Sequence, residues 1–471
     1  MKRSIALLAV LGSAFGASAQ VFGPARSEFR LNTYTTNDQT NPAIAYSGPN
    51  AFLVVWQGDG LGDPDLGIHA QRYSGPYGPF GSELLVNTYT TLDQTYPRVA
   101  GPPGGSPPGF VVVVWQSEGE DGAQSGVFGQ RYENQFPVDP PFQVNTYTTG
   151  AEEFPDVAQD GNGNFVVVWE QPDSDGYGIF ARRYSSAGAP LTSPFRVNTY
   201  TTSLQSHPSV AASLDGSFVV VWQSHKEFGT SDDVVGQRYA SAGEPLGGVF
   251  RIEVSTAEYH GPPSVAAVGT NAGFVVAWDA MPDVTTEIYA RRYDAAGAPL
   301  TSPFRVNTFT TNPQVSPSVA GDPDGHFTIV WVSEAEDGDA AGVFGQRYGA
   351  SGAPLGGEFR VNTYTTGRQI NPRVAMVSNN GEFTVVWASA SQDGSGYGVF
   401  GRQFCGLAGD ADGNGKIDVA DVFYLINSLF AGGPLPVEFS DVNFDGKVDV
   451  QDVFYLINYL FARGPAPACV G

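Results

Sequence analysis

Two twelve-residue stretches near the C-terminus hold the densest chemistry in the chain: "DADGNGKIDVAD" from Asp410 and "DVNFDGKVDVQD" from Asp441. Oxygen-bearing side chains stand at positions 1, 3, 5, 9 and 12 of each, with Gly at position 6 for a sharp turn. In the first stretch they are Asp410, Asp412, Asn414, Asp418 and Asp421, and in the second Asp441, Asn443, Asp445, Asp449 and Asp452. Position 7 adds a main-chain carbonyl, that of Lys416 or Lys447. Carboxylates crowded into so short a loop repel one another until a hard divalent cation neutralises them, so binding is expected to be coupled to folding. A flexible, all-oxygen set suits calcium better than magnesium, and one ion per loop gives two ions.

The elements that must position these loops follow them directly. The runs "VFYLINSLFAGGP" and "VFYLINYLFARGP" place Val422, Leu425, Ile426 and Leu429, then Val453, Leu456, Ile457 and Leu460, at helical spacing. Gly432 to Pro434 and Gly464 to Pro465 end the two helices. The apolar faces can pack on each other. Loop spacing of the EF-hand type, duplicated in register and with Asp instead of Glu at position 12, resembles a type I dockerin across residues 405–471. The resemblance implies a small all-α calcium module that plugs into a cohesin-type partner. By the family pattern, partner choice falls on loop positions 10 and 11, here Val419 with Ala420 and Val450 with Gln451; many cellulosomal dockerins carry hydroxyl residues there. The same resemblance admits a second role, calcium as a structural ion in a cap without an external partner. The chain's two cysteines, Cys405 and Cys469, bracket this segment. In an oxidising compartment they are expected to pair, which would contribute on the order of 4 kcal/mol in the chain-entropy view; two unpaired thiols are the alternative.

Most of the chain is a repeat. "FRVNTYTT" occurs at Phe195 and Phe359, with five looser copies, and Trp56, Trp115, Trp169, Trp222, Trp278, Trp331 and Trp387 each end a similar apolar run. Seven units of this size, each with four short strand signals, predict a mainly β fold: a seven-bladed β-propeller over residues 20–404. Alternation in "FRVNTYTT" predicts a half-buried strand with Phe195, Val197 and Thr199 on one face and Arg196, Asn198 and Tyr200 on the other. "FVVVW" is apolar on both faces and belongs inside a stack of sheets. The copy at Phe29 precedes the first full unit, and the last unit stops at Phe404 without one, so the N-terminal copy is placed to close the ring. An open β-solenoid or bead-like sandwiches would meet the same period.

Function is less legible in the repeat. A net charge of −24 opposes nucleic acid or an anionic membrane as partner. Residues 1–19 have the plan of a cleaved secretory signal: Lys2 and Arg3, an apolar run from Ile5 to Leu11, then Ala17-Ser18-Ala19. No later stretch is long and apolar enough for a membrane helix, so a secreted or cell-surface location is expected. Recurring residues, including Trp, Asn-Thr-Tyr and the arginines of "QRY" (Arg72, Arg131, Arg238, Arg347), are read as packing. No residue is assigned a catalytic role. His69, His207 and His326 occupy unrelated repeat positions. The repeat is broken at "SHKEFGTSDD" (His225, Lys226, Glu227, Asp232, Asp233) and "IEVSTAEYH" (Glu253, Glu258, His260), which together with acidic loops elsewhere predict one acidic rim. The leading expectation is a polysaccharide-binding or adhesion protein on a calcium tether. A polysaccharide hydrolase or lyase using a pair such as Glu253 and Glu258, and a surface-structural protein, are the alternatives.

Overall fold

The computed structural model describes residues 27–48, 51–60, 62–74, 78–105, 110–133, 136–228, 232–252, 259–282, 284–377, 381–404, 409, 411, 417–433, 442 and 447–462. The expected signal segment, Glu253, Glu258 and both cysteines lie outside the described residues.

Seven four-stranded antiparallel sheets follow one another along the chain. Their inner strands are Gln39–Gly48, Gln94–Ala100, Glu153–Gln159, Gln205–Ala212, Ser264–Val268, Gln314–Gly321 and Gln369–Met376. Each inner strand packs against that of the next sheet, and the seventh against the first, giving a closed seven-bladed propeller. We label strands a to d outward in each blade. In blade 7 the fourth strand is Phe29–Arg30, pairing with strand c, Tyr397–Phe404, through Phe29↔Gly401 and Arg30↔Phe400. The N-terminal copy therefore closes the ring, giving blade 7 the same four strands as the other blades and covering the outer edge of its strand c.

Seven apolar clusters fill the seven blade interfaces, and the two-faced "FVVVW" runs explain why. In blade 3, Val166 and Val168 pack toward blade 4, while Phe165, Val167 and Trp169 pack toward blade 2. All seven tryptophans are buried. Each buried Val or Phe contributes about 1.5–3 kcal/mol in transfer free energy. The "QRY" set is packing, as expected. Its Tyr stacks on the first residue of strand b, as in Phe218–Tyr239 at 4.7 Å. Its Arg reaches the hairpin of the next blade, as in Arg131 Nη1 to the Ala187 carbonyl at 2.7 Å and Arg238 Nη1 to that of Ala295 at 2.6 Å.

The "FRVNTYTT" segment departs from the expected strand. Only Phe195–Arg196 is extended; Asn198 is buried and Thr199 exposed, against the simple alternation. The cause is the asparagine. Its Oδ1 accepts the main-chain N–H of Ile179 at 2.8 Å, where a ladder carbonyl would otherwise stand, and its Nδ2 donates to the Tyr200 carbonyl at 2.7 Å. The chain folds back at that point. The same bond recurs from Ile68 to Asn87, Val127 to Asn145, Ile288 to Asn307, Val343 to Asn362 and Val399 to Asn32.

After blade 7 come two helices, α1 (Val419–Ala431) and α2 (Val450–Ala462). Both begin where the acidic loops end. α1 stops at Gly432 in the left-handed conformation, φ 68°, which glycine adopts without a Cβ penalty. Leu425 and Leu456 are fully buried and Val422 and Val453 nearly so, forming with Ala411 and Val442 one small core. Ile426, expected on the buried face, is exposed instead: with Val422 and Leu425 facing α2, its side chain lies past the edge of that contact.

Candidate functional site

The duplicated loops close in the same way. Asp421, position 12 of the first, is fully buried; its carboxylate accepts the N–H of Ala411 at 2.7 Å and of Asp418 at 2.7 Å. Asp452 repeats this with Val442 and Asp449, both at 2.8 Å. One carboxylate thus ties loop positions 2 and 9 to the first turn of each helix. Asp418 in turn caps α1, accepting from Ala420 N at 2.7 Å, which completes a capping box. Asp449 does the same for Gln451 N. Asp410, Asp412, Asn414, Lys416, Asp441, Asn443 and Asp445 lie outside the described residues. Those described fit a calcium loop: hard oxygen donors only, with two acids per loop already held in place by main-chain N–H groups.

The helices carry a second feature. On α1, Phe423 and Phe430 are 62% and 68% exposed; on α2, Phe454 and Phe461 are 64% and 68% exposed. Val419 and Val450, the proposed selectivity positions, are also exposed and stand four residues before the first Phe of each pair. Each helix therefore has a buried face and a separate exposed apolar stripe, and the two stripes are copies of one another. Sequence reasoning missed these phenylalanines. The signal was available in their duplication at positions the inward face did not need.

Residues 408–461 match the family model of the Dockerin type I domain. Dockerin domains bind calcium and cohesin modules. No curated protein matches the chain. Among solved structures, the chain is similar to a polysaccharide lyase, an ulvan lyase (TM-score 0.50, 11% identity, 80% of this chain and 96% of that one). It is also similar to the β-propeller domain of the Trilobed protease from Pyrococcus furiosus (TM-score 0.46, 9% identity, 82% and 99%) and to the α-L-arabinanase of Penicillium chrysogenum (TM-score 0.46, 14% identity, 81% and 99%). At these identities the likeness is one of fold.

On the propeller, many rim acids turn inward. Asp63 accepts from Asn87 Nδ2 at 2.8 Å, Asp393 from Asn32 at 2.9 Å, Asp337 from Asn362 at 3.1 Å and Asp121 from Asn145 at 3.2 Å. Asp173 and Asp233 pair with Arg196 and Arg251 at 2.8 and 2.6 Å. These carboxylates lock the b–c loops to strand d. The structure brings together part of the repeat-breaking set: His225 Nδ1 bonds Asp232, and fully buried His260 bonds the Asp232 carbonyl at 2.6 Å. Glu227 accepts from Ser224. The His260 contact joins blade 5 to blade 4, while the other two lie within blade 4. His69 is buried, with Nε2 on the Gly58 carbonyl at 2.9 Å, and His326 bonds Asp322 within its own hairpin at 3.1 Å.

Burial raises several carboxyls, Glu120, Glu153, Asp156 and Glu227 among them, and four stand highest. Burial, then the charge of Asp121, pushes Glu152 up to about 8, and burial takes Glu170 to about 8. Burial likewise raises Asp279 to about 7 and Glu336 to about 7. Glu152 occupies the position that is Gln39, Gln94, Gln205, Gln314 and Gln369 in five other blades; the amide accepts the Trp indole N–H from Trp56, Trp222 and Trp331, or the Asn Nδ2 from Asn87 and Asn362, as Glu152 does from Asn145. A protonated carboxyl is the nearest substitute for that amide.

Proposed function

We propose that this protein is an exported, calcium-dependent docking protein: the dockerin segment binds a cohesin-type module and the propeller is its non-catalytic, polysaccharide-binding cargo. The observation that carries the docking half is the pair of exposed apolar stripes, Val419-Phe423-Phe430 and Val450-Phe454-Phe461, each set behind an acidic loop. Phenylalanines exposed by more than 60% on a segment whose core is already complete are surface kept for a partner. Calcium, held by the six assigned residues of each loop, would supply the charge neutralisation that lets each loop close and orient its helix.

The inward engagement of Asp63, Asp121, Asp173, Asp233, Asp337 and Asp393 favours binding over acid/base chemistry at those positions; Glu253 and Glu258, the pair of the enzymatic alternative, lie outside the described residues. A pull-down from the source organism's secreted and surface proteins tests the reading. A cohesin-bearing protein should be retained with calcium, lost with chelator and lost in the Asp421→Ala/Asp452→Ala protein. Retention of nothing by the calcium-loaded chain would leave calcium as a structural ion and remove the docking function.

A further inference from the structure

A cavity of ≈ 530 Å³ lies on the propeller axis, lined by all seven inner strands. This is the size of a small-molecule site. Its lining departs from the sevenfold repeat in two layers.

The outer layer, nearer the rim of the b–c loops, is set by a bulge that precedes a proline in six of the seven inner strands. At this bulge Tyr96, Phe154 and His207 have φ of 52°, 49° and 52°, a left-handed conformation that bulky side chains rarely adopt. Neighbouring blades hold them there: Tyr96 N donates to Gln57 Oε1 at 2.9 Å, Phe154 N to Gln116 at 3.4 Å, and His207 N to Glu170 at 2.5 Å. The result is a ladder of rings across blades 2, 3 and 4, with Tyr96–Phe154 and Phe154–His207 centroids both 4.7 Å apart. On the other side, Asn371 of blade 7 bonds Asn41 of blade 1, and Asn41 bonds Gln57 at 2.9 Å.

One layer deeper, the equivalent positions are Ala43, Ser209, Ser264 and Ser318 in four blades but Arg98, Asp156 and Arg373 in the others. Two guanidiniums face one carboxylate. Asp156 is anchored by the Val210 N–H at 2.9 Å; each Arg donates to the carbonyl of its own preceding proline, at 2.9 and 3.0 Å. Among the described residues neither arginine has an ion pair within 4.0 Å. Burial, then the charge of Arg98, pushes Arg373 down to about 9; burial also lowers Arg98. In a chain of net charge −24, these two arginines and one aspartate, half-buried in the cavity wall, leave an excess of one positive charge on the axis, where partial desolvation makes it costly. An entering anion would offset it.

We propose that this axial cavity binds one acidic sugar unit, a pyranose carrying a carboxylate or a sulfate, with the oxyanion held between Arg98 and Arg373 and the ring set against the Tyr96–Phe154–His207 ladder. Guanidinium forks match planar or tetrahedral oxyanions, and the ring faces offer apolar surface to the C–H side of the sugar. The inference rests on the reading of the propeller as a saccharide-binding cargo.

Affinity electrophoresis of the mature chain, with calcium and at physiological salt, tests it against polygalacturonate, a sulfated galactan and a neutral β-glucan. The acidic polymers separate carboxylate from sulfate recognition. Retardation is expected on at least one of them and not on the glucan. Arg98→Gln/Arg373→Gln should weaken it by about tenfold or more, the size expected for losing charge-assisted bonds. Phe154→Asn, which suits the left-handed backbone but removes the ring, should weaken it as well. Arg373→Gln alone serves if the double variant does not fold, thermal unfolding being the check. Undiminished acidic binding by folded variants, or equal binding of the glucan, overturns the site while leaving a saccharide-binding propeller. No retardation on any polymer overturns both readings, and the cohesin pull-down stands apart from either result.

Discussion

A single side chain can end a strand and hold a blade together. The asparagine of each "VNTYTT" copy replaces a ladder carbonyl, as Asn362 does for Val343 N–H at 2.7 Å, and the same amide holds the b–c loop through Asp337. Asn362→Ala leaves a buried N–H without its acceptor and should cost roughly 1–3 kcal/mol, read as a lower propeller melting temperature with the fold kept. Alternation hid this role, because a polar residue beside apolar ones reads as outward-facing. The raised carboxyls belong to the same scale. Glu152, Glu170, Asp279 and Glu336 bind protons more tightly folded than unfolded, so their contribution is full below the ordinary carboxyl range and is lost as pH rises through about 7–8. The propeller should therefore melt at a lower temperature at about pH 8.5 than at about pH 5. Glu152→Gln, which restores the residue of the other blades, should flatten that slope; an unchanged pH profile would refute the assignment for Glu152.

Each C-terminal helix has two faces with different work. Leu425 and Leu456 are fully buried between α1 and α2, and truncating either to Ala should cost about 2–5 kcal/mol, enough to melt so small a core. Phe423→Ser/Phe454→Ser should instead leave helix content and calcium response intact while abolishing cohesin capture; circular dichroism and pull-down on the same sample separate the outcomes. The loops were legible because oxygen ligands at so fixed a spacing, around a turn glycine, suit little besides a hard cation. The exposed stripes were not, because "VFYLINSLF" is apolar around most of the helix and periodicity does not say which apolar residues a partner will cover. Ile426 shows the same limit from the other side: spacing places it inward and it is exposed, while its counterpart Ile457 packs on the core.

At the scale of the molecule, seven tryptophans and a repeat counted from them were enough to read a propeller, and the spare copy at Phe29 was enough to read its closure. The axial cavity was not readable, because Arg98, Asp156 and Arg373 are far apart in sequence and meet only when blades 2, 3 and 7 share an axis. Deleting the chain through Asn32 removes both the closing strand and the amide that accepts Val399 N–H at 2.8 Å. The truncated protein should melt earlier and aggregate through the bared strand, as thermal unfolding and size-exclusion chromatography would show. That closure also has a mechanical side. Were the tail anchored as proposed, tension on it would enter the ring at Phe404, the last residue of a strand paired over eight positions with its inner neighbour, Phe383↔Phe404 to Ala390↔Tyr397, and clasped outside by the N-terminal strand. A pull along that strand loads these bonds in shear, all at once, so blade 7 is where drag on a captured polymer and the grip of the anchor would be balanced.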